Sequence, residues 1–161
     1  MRYVFLILSV VFSVSVSGQD VTVIRKSVEQ INKTKNYTVK TVPAEYFAGK
    51  NMVTDNGIEL KGLYRNGELK KMEYSVGVSA WKYQTEYFFN HNHLIFVYVK
   101  KYQTAGKNGY LEQPQLLSEA RYYYANEKLI KATGKPDQDQ ESTNYLKQAN
   151  GLKKDLANYR P

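Results

Sequence analysis

Apolar and polar residues alternate along three stretches of the chain, and each stretch leads into the same short unit. The unit is an aromatic residue, an Asn within the next two positions, and a Leu five residues after the aromatic. It occurs at Tyr64–Leu69, Phe89–Leu94 and Tyr124–Leu129. Asn tolerates the left-handed backbone that tight hairpin turns require, and strand-forming residues flank each copy. The pattern therefore predicts three β-hairpins built on one template.

Side chains alternate in a strand, so counting back in twos from each aromatic residue assigns the faces of three strands. One face is apolar and aromatic: Ile58, Leu60 and Tyr64, then Trp81, Tyr83, Tyr87 and Phe89, then Leu116, Ala120, Tyr122 and Tyr124. The other face is mainly polar: Glu59, Lys61, Lys82, Gln84, Glu86, Glu119 and Arg121, with Leu63, Phe88 and Tyr123 as apolar exceptions. This contrast predicts an antiparallel sheet that packs on one side and meets water on the other.

Two segments depart from this alternation. Leu94–Val99 is apolar on both faces, which predicts a central strand covered on both sides, on one of them by a helix. The stretch Gln103–Gln115 contains two glycines and a proline, which predicts the longest loop of the domain.

Helical spacing occurs before and after the predicted sheet. Asp20 is a good N-cap, and the apolar residues that follow it at helical spacing predict a helix at about 20–34. A narrow apolar stripe predicts an amphipathic helix at about 141–158, with the hairpin sheet at about 37–133 between the two helices. The predicted fold is α+β: a single domain, residues 20–161, with a curved antiparallel β-meander of about six to eight strands.

The first nineteen residues have the pattern of a signal peptide. Arg2 supplies a positive charge, Tyr3–Val16 is an apolar run, and small residues follow up to Gly18. The run is shorter than the ~20 apolar residues that span a bilayer, so cleavage near Gly18 or Gln19 is favoured over an uncleaved anchor. We therefore predict a secreted or periplasmic protein with no transmembrane segment after cleavage.

Composition narrows the chemistry only in part. The chain has no cysteine, which excludes disulfides, thiolate zinc sites and a lipid-anchored N-terminal Cys. Its formal charge is +8, and removal of Arg2 lowers that charge by one. Such a charge predicts a weak, non-specific attraction to polyanions, or serves solubility alone.

The amino-acid sequence of the first hairpin, Tyr64–Lys71, resembles the degenerate MORN-type hairpin repeats of bacterial proteins. The order of signal peptide, amphipathic helix, hairpins and C-terminal helix also resembles small secreted proteins of Gram-negative bacteria. The resemblance to MORN-type repeats covers residues 58–133. It implies hairpins and no catalytic residues, so none is carried over.

Candidate chemistry is sparse. His91 and His93 are the only histidines and form a weak candidate metal site, although both lie in a predicted turn, where polar residues are common. The polar-face carboxylates Glu59, Glu86 and Glu119 have basic neighbours, which predicts ion pairs more than hydrolytic pairs. No nucleophile elbow or phosphate-binding glycine loop occurs. We predict no catalytic residue and no cofactor.

The remaining features favour a non-catalytic, exported binding module that uses the polar and aromatic sheet face, with an unknown protein or envelope polymer as partner. The candidate contacts are Phe88, Tyr123, Arg121, Lys82 and Glu86. The alternative is a secreted inhibitor or immunity-type protein that blocks an enzyme through Gln103–Gln115. A third reading is an envelope hydrolase, which requires two convergent carboxylates.

Overall fold

A computed structural model describes residues 16–160 of the chain, with side chains from residue 20 onward. The helices are α1 Val16–Lys33, α2 Ala44–Ala48 and α3 Tyr145–Asn158. The strands are β1 Thr38–Val42, β2 Ile58–Arg65, β3 Glu68–Val78, β4 Trp81–Asn90, β5 His93–Gly106, β6 Gly109–Ala125 and β7 Lys128–Lys135. All neighbouring strands pair antiparallel in chain order. The predicted α+β meander with a helix at each end is confirmed.

The three repeated units adopt one hairpin geometry. Both residues of each two-residue turn have positive φ: Asn66 and Gly67 at 53° and 76°, His91 and Asn92 at 47° and 65°, Asn126 and Glu127 at 49° and 61°. These are the left-handed conformations that Asn and Gly tolerate best and that match the twist of the flanking strands. Asn occupies one of the two turn positions in each copy, although in the second copy the turn residue is Asn92 and the Asn of the predicted unit, Asn90, ends β4.

The aromatic residue and the Leu of each unit lie directly opposite each other. Tyr64 pairs with Leu69, Phe89 with Leu94 and Tyr124 with Leu129, and each ladder then skips one residue. A skipped residue of this kind is a β-bulge, which increases strand twist. The unit therefore encodes a turn, a cross-strand pair and a bulge together.

The main core lies between the apolar sheet face and helices α2 and α3. Its fully buried members include Phe47 of α2, Leu60, Tyr87 and Val97 of the sheet, and Leu156 of α3. These strand residues belong to the face that counting in twos assigned as apolar or to the central strand. That face assignment is confirmed except at Leu116, which is 46% exposed because the β5–β6 register shifts between Ser118 and Leu116.

A second, smaller cluster lies on the opposite face, and we call it the α1 core. It consists of Val21, Ile24, Phe88, Phe96 and Tyr123. Strand β5 contributes Val97 to the main core and Phe96 to the α1 core. The prediction that Leu94–Val99 forms a central strand covered on both sides, with a helix on one, is confirmed.

Segment Gln103–Gln115 is not a loop, which corrects the prediction. It forms the outer part of the β5–β6 hairpin, with Gln103 opposite Gln115 and Gly106 opposite Gly109. Gly109 has φ +105°, so the glycine predicted to break the strand instead closes the turn. Pro114 and its neighbours are accommodated by an irregular ladder between Gln103 and Ala105.

The helix boundaries differ from the predictions by a few residues. Helix α3 begins at Tyr145 because Asn144 caps it, its side chain accepting a hydrogen bond from the Lys147 N–H at 3.0 Å. A 3₁₀ turn at Gln138–Gln140 fills the preceding segment. Most of the predicted signal peptide lies outside the described residues, and its last four residues belong to the first turn of α1.

Two glycine-to-alanine substitutions should change stability in opposite directions. Gly134 in β7 has φ +82°, and a Cβ atom there would lie 2.4 Å from the Glu119 carbonyl oxygen. Gly134→Ala should therefore destabilise the fold by more than the ~1–2 kcal/mol of left-handed strain alone. Gly151 lies inside α3 with nothing within 4 Å of its added Cβ, so Gly151→Ala should stabilise by about 1 kcal/mol. Urea unfolding measures both, and effects of equal sign would contradict this packing.

Candidate binding groove

Helix α1 rests on a row of three aromatic rings. Phe88, Phe96 and Tyr123 are cross-strand neighbours on β4, β5 and β6, because the register pairs Phe88 with Phe96 and Phe96 with Tyr123. The ring centroids of Phe88 and Phe96 are 5.5 Å apart, and those of Phe96 and Tyr123 are 4.9 Å apart. The apolar side of α1 covers this row with Val21 and Ile24. The row therefore determines where the helix lies on the sheet.

The two aromatic residues among the predicted contacts are buried by this helix. Phe88 is 1% exposed and Tyr123 is 3% exposed. Counting in twos placed both on the polar face, but it could not show that α1 covers that part of the face. This burial corrects the expectation of an aromatic patch open to solvent.

The other three predicted contacts do not converge on one site. Glu86 lies between two lysines, with its carboxylate 3.5 Å from Lys71 Nζ and 3.2 Å from Lys100 Nζ. Lys82 is exposed at the far end of β4, where it lines a separate cleft with Tyr110. Arg121 remains close to the aromatic row and faces a groove beside α1.

The groove separates one side of α1 from strands β5, β6 and β7 and has a volume of about 750 Å³. Its lining combines apolar and charged side chains: Arg25, Val28, Glu29, Asn32 and Lys33 of α1, with Phe96, Arg121, Tyr123 and Thr133 of the sheet. The helical residues recur at three- and four-residue intervals, so they share one side of α1. The volume lies within the range of small-molecule sites, but the lining is more polar than in most of them, since six of its nine residues are polar or charged.

Arg25 is the distinctive cation of this groove. Its Nε donates a hydrogen bond to the Tyr123 hydroxyl at 3.3 Å, and its guanidinium carbon lies 5.6 Å from the centre of that ring. Among the described residues no carboxylate forms an ion pair with it. The other two cations of the lining are paired, Lys33 with Glu29 and Arg121 with Glu119. Of the five N–H donors of Arg25, one is used by the Tyr123 hydroxyl and none is paired with a described carboxylate.

Arg121 is held in place by a small polar cluster. Its guanidinium donates to both carboxylate oxygens of Glu119, at 2.9 and 3.2 Å, and the Tyr98 hydroxyl donates to the same carboxylate. Burial, followed by the bond to Glu119, raises the pKa of Tyr98 to about 12. The bonds from Tyr98 and Arg121 hold the pKa of Glu119 below its ordinary value. Bidentate pairing of this kind fixes the orientation of the arginine in the groove wall.

The carboxylates considered for hydrolysis are all ion-paired. Glu59 lies 2.8 Å from Lys61, Glu119 lies 2.9 Å from Arg121, and Glu86 contacts Lys71 and Lys100. The predicted ion pairing is confirmed, with Lys71 and Lys100 in place of Lys82 at Glu86. A lowered pKa at Glu119 is the opposite of what a general acid in glycoside hydrolysis requires.

The two histidines lie at the β4–β5 turn. His91 occupies a positive-φ turn position, and His93 begins β5 with its Nδ1 3.7 Å from Glu127. Within residues 16–160, no three His, Asp or Glu side chains are grouped so as to hold a metal ion. The weak metal candidate therefore lacks a set of three protein ligands there.

No family model, curated protein or solved structure matches the chain at a significant level. The resemblance of its hairpins to MORN-type repeats stays a prediction. Among the described helices, none is both long and apolar enough to cross a membrane.

Substitution of the buried ring should reveal its packing role. Phe88→Ala removes a side chain that is 1% exposed in the α1 core and should destabilise the protein by about 3–5 kcal/mol. Lys82→Ala, six residues earlier on the same face of β4 and exposed, should change stability by no more than about 0.5 kcal/mol. Chemical denaturation of both variants measures this difference. Similar small effects would mean that α1 does not cover Phe88.

Tyr98 makes stability depend on pH in the alkaline range. A tyrosine with a raised pKa favours the folded state below its unfolded pKa of ~10, and this contribution is lost as pH rises through the folded pKa of about 12. Tyr98→Phe should therefore lose stability less steeply than the wild type between pH ~10 and ~12. Urea unfolding at successive pH values tests this, and parallel curves for the two proteins would contradict it.

Proposed function

We propose that the protein is a non-catalytic binding module that takes its ligand in the groove between α1 and strands β5–β7. The observation that carries this proposal is the lining of the groove: half-buried Val28 and the exposed edges of Phe96 and Tyr123 supply a small apolar surface, while Arg25 supplies a cation with no described acidic partner. An apolar concavity with a few oriented polar groups is the usual form of a ligand site. Arg121 and Tyr123, both predicted as contacts, belong to this lining.

The rest of the fold suits a scaffold for such a site. Strands β4–β6, which carry the aromatic row, are packed on both faces, so the floor of the groove is rigid. The wall formed by α1 is held by fewer buried side chains, so it is the part that can adjust to a ligand. We also propose export to the periplasm or medium, which the predicted signal peptide supports.

A second candidate function is supported by the outer β5–β6 hairpin. The tip of this arm extends past the paired part of β4 and exposes Tyr110, and Leu116 and Leu117 are exposed on β6 past its paired part with β7. Tyr110 is 77% exposed. Apolar side chains on a projecting hairpin suit insertion into the cleft of another protein, as an inhibitor or immunity-type protein requires. The envelope hydrolase is the least supported function, because its candidate carboxylates are ion-paired.

A substitution that fills the groove should distinguish the groove-binding module from the inhibitor. Thr133→Trp places a large ring in the groove lining, whereas Ala132→Trp places the same ring on the opposite, exposed face of β7. Ligands retained by the wild type from envelope and medium fractions of its host, and identified by mass spectrometry, should be retained by Ala132→Trp and lost by Thr133→Trp. Equal retention by both variants would contradict the groove. Loss only when Tyr110 and Leu117 are replaced by Ser would favour the inhibitor.

A further inference from the structure

Four asparagines of the chain are followed directly by glycine, the arrangement most open to spontaneous deamidation. The pairs are Asn56-Gly57, Asn66-Gly67, Asn108-Gly109 and Asn150-Gly151. In this reaction the backbone nitrogen of the second residue attacks the side-chain amide carbon of the asparagine. Glycine permits the attack because it has no Cβ atom to crowd the approach. The fold then decides which of the four pairs can reach the required geometry.

Hydrogen bonds hold two of the four pairs. Asn150-Gly151 lies inside α3, where backbone amides bond along the helix and cannot turn toward a side chain without breaking it. The Asn56 side-chain amide donates to the Ser79 carbonyl at 2.6 Å. The Gly57 carbonyl accepts from the Gly77 N–H at 2.9 Å. Attack at either asparagine therefore requires that these bonds open first.

The third pair is the turn of the first hairpin. Asn66 and Gly67 have φ 53° and 76°, and the pairing of β2 with β3 starts directly beside them, at Arg65 and Glu68. The next residue, Leu69, is 5% exposed in the main core. The core thus holds this turn in its left-handed form, which resists the rotation that the attack requires.

Asn108-Gly109 lacks all of these restraints. The pair lies at the tip of the outer β5–β6 hairpin, where both residues are exposed and no residue from 103 to 115 is buried. Only Gly106 with Gly109 and Ala105 with Tyr110 are paired before the ladder becomes irregular. Among the described residues, none forms a hydrogen bond with the Asn108 side chain. Exposed hairpin tips of this kind open at the lowest free-energy cost in a fold.

We propose that Asn108 is a site of spontaneous deamidation in the folded protein, and that the fold protects the other three Asn-Gly pairs. The Gly109 nitrogen bonds to Asn108 Cγ and closes a succinimide ring. The side-chain nitrogen leaves as ammonia and carries away the Gly109 amide proton. One water molecule then opens the ring, at one carbonyl to aspartate and at the other to isoaspartate. Either product adds a negative charge beside Lys107.

Isoaspartate also changes the backbone of the arm. Its main chain runs through the former side chain, so one extra carbon enters the turn and should release the Gly106–Gly109 pair. The groove beside α1 shares no residue with this arm. The inference therefore goes beyond the proposed groove and is independent of it, so the failure of one leaves the other standing.

Peptide mapping of the folded full chain, incubated at mildly alkaline pH, tests the proposal. Trypsin cuts after Lys and Arg, so the four pairs fall in four different peptides, residues 51–61, 66–70, 108–121 and 148–153. Mass spectrometry follows the conversion of each asparagine, and digestion in heavy-oxygen water marks any ring that opens during digestion. The same chain unfolded in urea gives the unprotected rate of each pair.

The ratio of folded to unfolded rate removes the effect of neighbouring sequence. This ratio should be about one for Asn108 and about a tenth or less for Asn56, Asn66 and Asn150. Asn108→Gln, which requires a larger ring, should stop conversion at this position and leave the other three rates unchanged. Equal ratios at all four pairs, or a ratio at Asn108 as low as that of Asn150, would overturn the proposal.

Discussion

The packing of α1 on Phe88, Phe96 and Tyr123 is the contact on which the rest of this face depends. Most of the stability of a helix in a protein comes from the packing of its apolar face, so α1 depends on the apolar area that Val21 and Ile24 bury. Each such side chain contributes about 1.5–3 kcal/mol when fully buried. The same contact makes the groove, because a helix lying across a sheet leaves a concave gap along its side.

The aromatic row also organises the charges around it. Lys71 is buried at the end of this row, where its ammonium lies 5.1 Å from the centre of the Phe88 ring and 2.9 Å from Glu73. A second carboxylate, Glu86, reaches both Lys71 and Lys100. Buried charge requires such partners. The carboxylates beside this row are therefore ion-paired, whereas Arg25 at the groove has no described acidic partner.

Local signals in the sequence predicted the hairpins and not the placement of α1. The units at Tyr64–Leu69, Phe89–Leu94 and Tyr124–Leu129 are encoded within six residues each, because a turn depends on its own backbone. Contacts such as Arg25 with Tyr123 join residues far apart in the chain and leave no local periodicity. Arg121 and Tyr123 were found by face counting, whereas Arg25 was missed. Its position next to Ile24, beside the apolar stripe of a predicted helix, was the available signal.

The outer β5–β6 arm was missed because glycine and proline also occur at bulges and hairpin turns.

A sheet with a helix laid across one face thus provides a groove beside that helix, with Arg25 in its wall and the edges of Phe96 and Tyr123 at its base. The most direct measurement of this arrangement is a set of nuclear Overhauser contacts between the methyl groups of Val21 and Ile24 and the aromatic rings below them. Strong contacts from Ile24 to the rings of the α1 core are predicted. Absence of these contacts, with α1 amides exchanging as in an unfolded peptide, would contradict the docked helix and remove the groove.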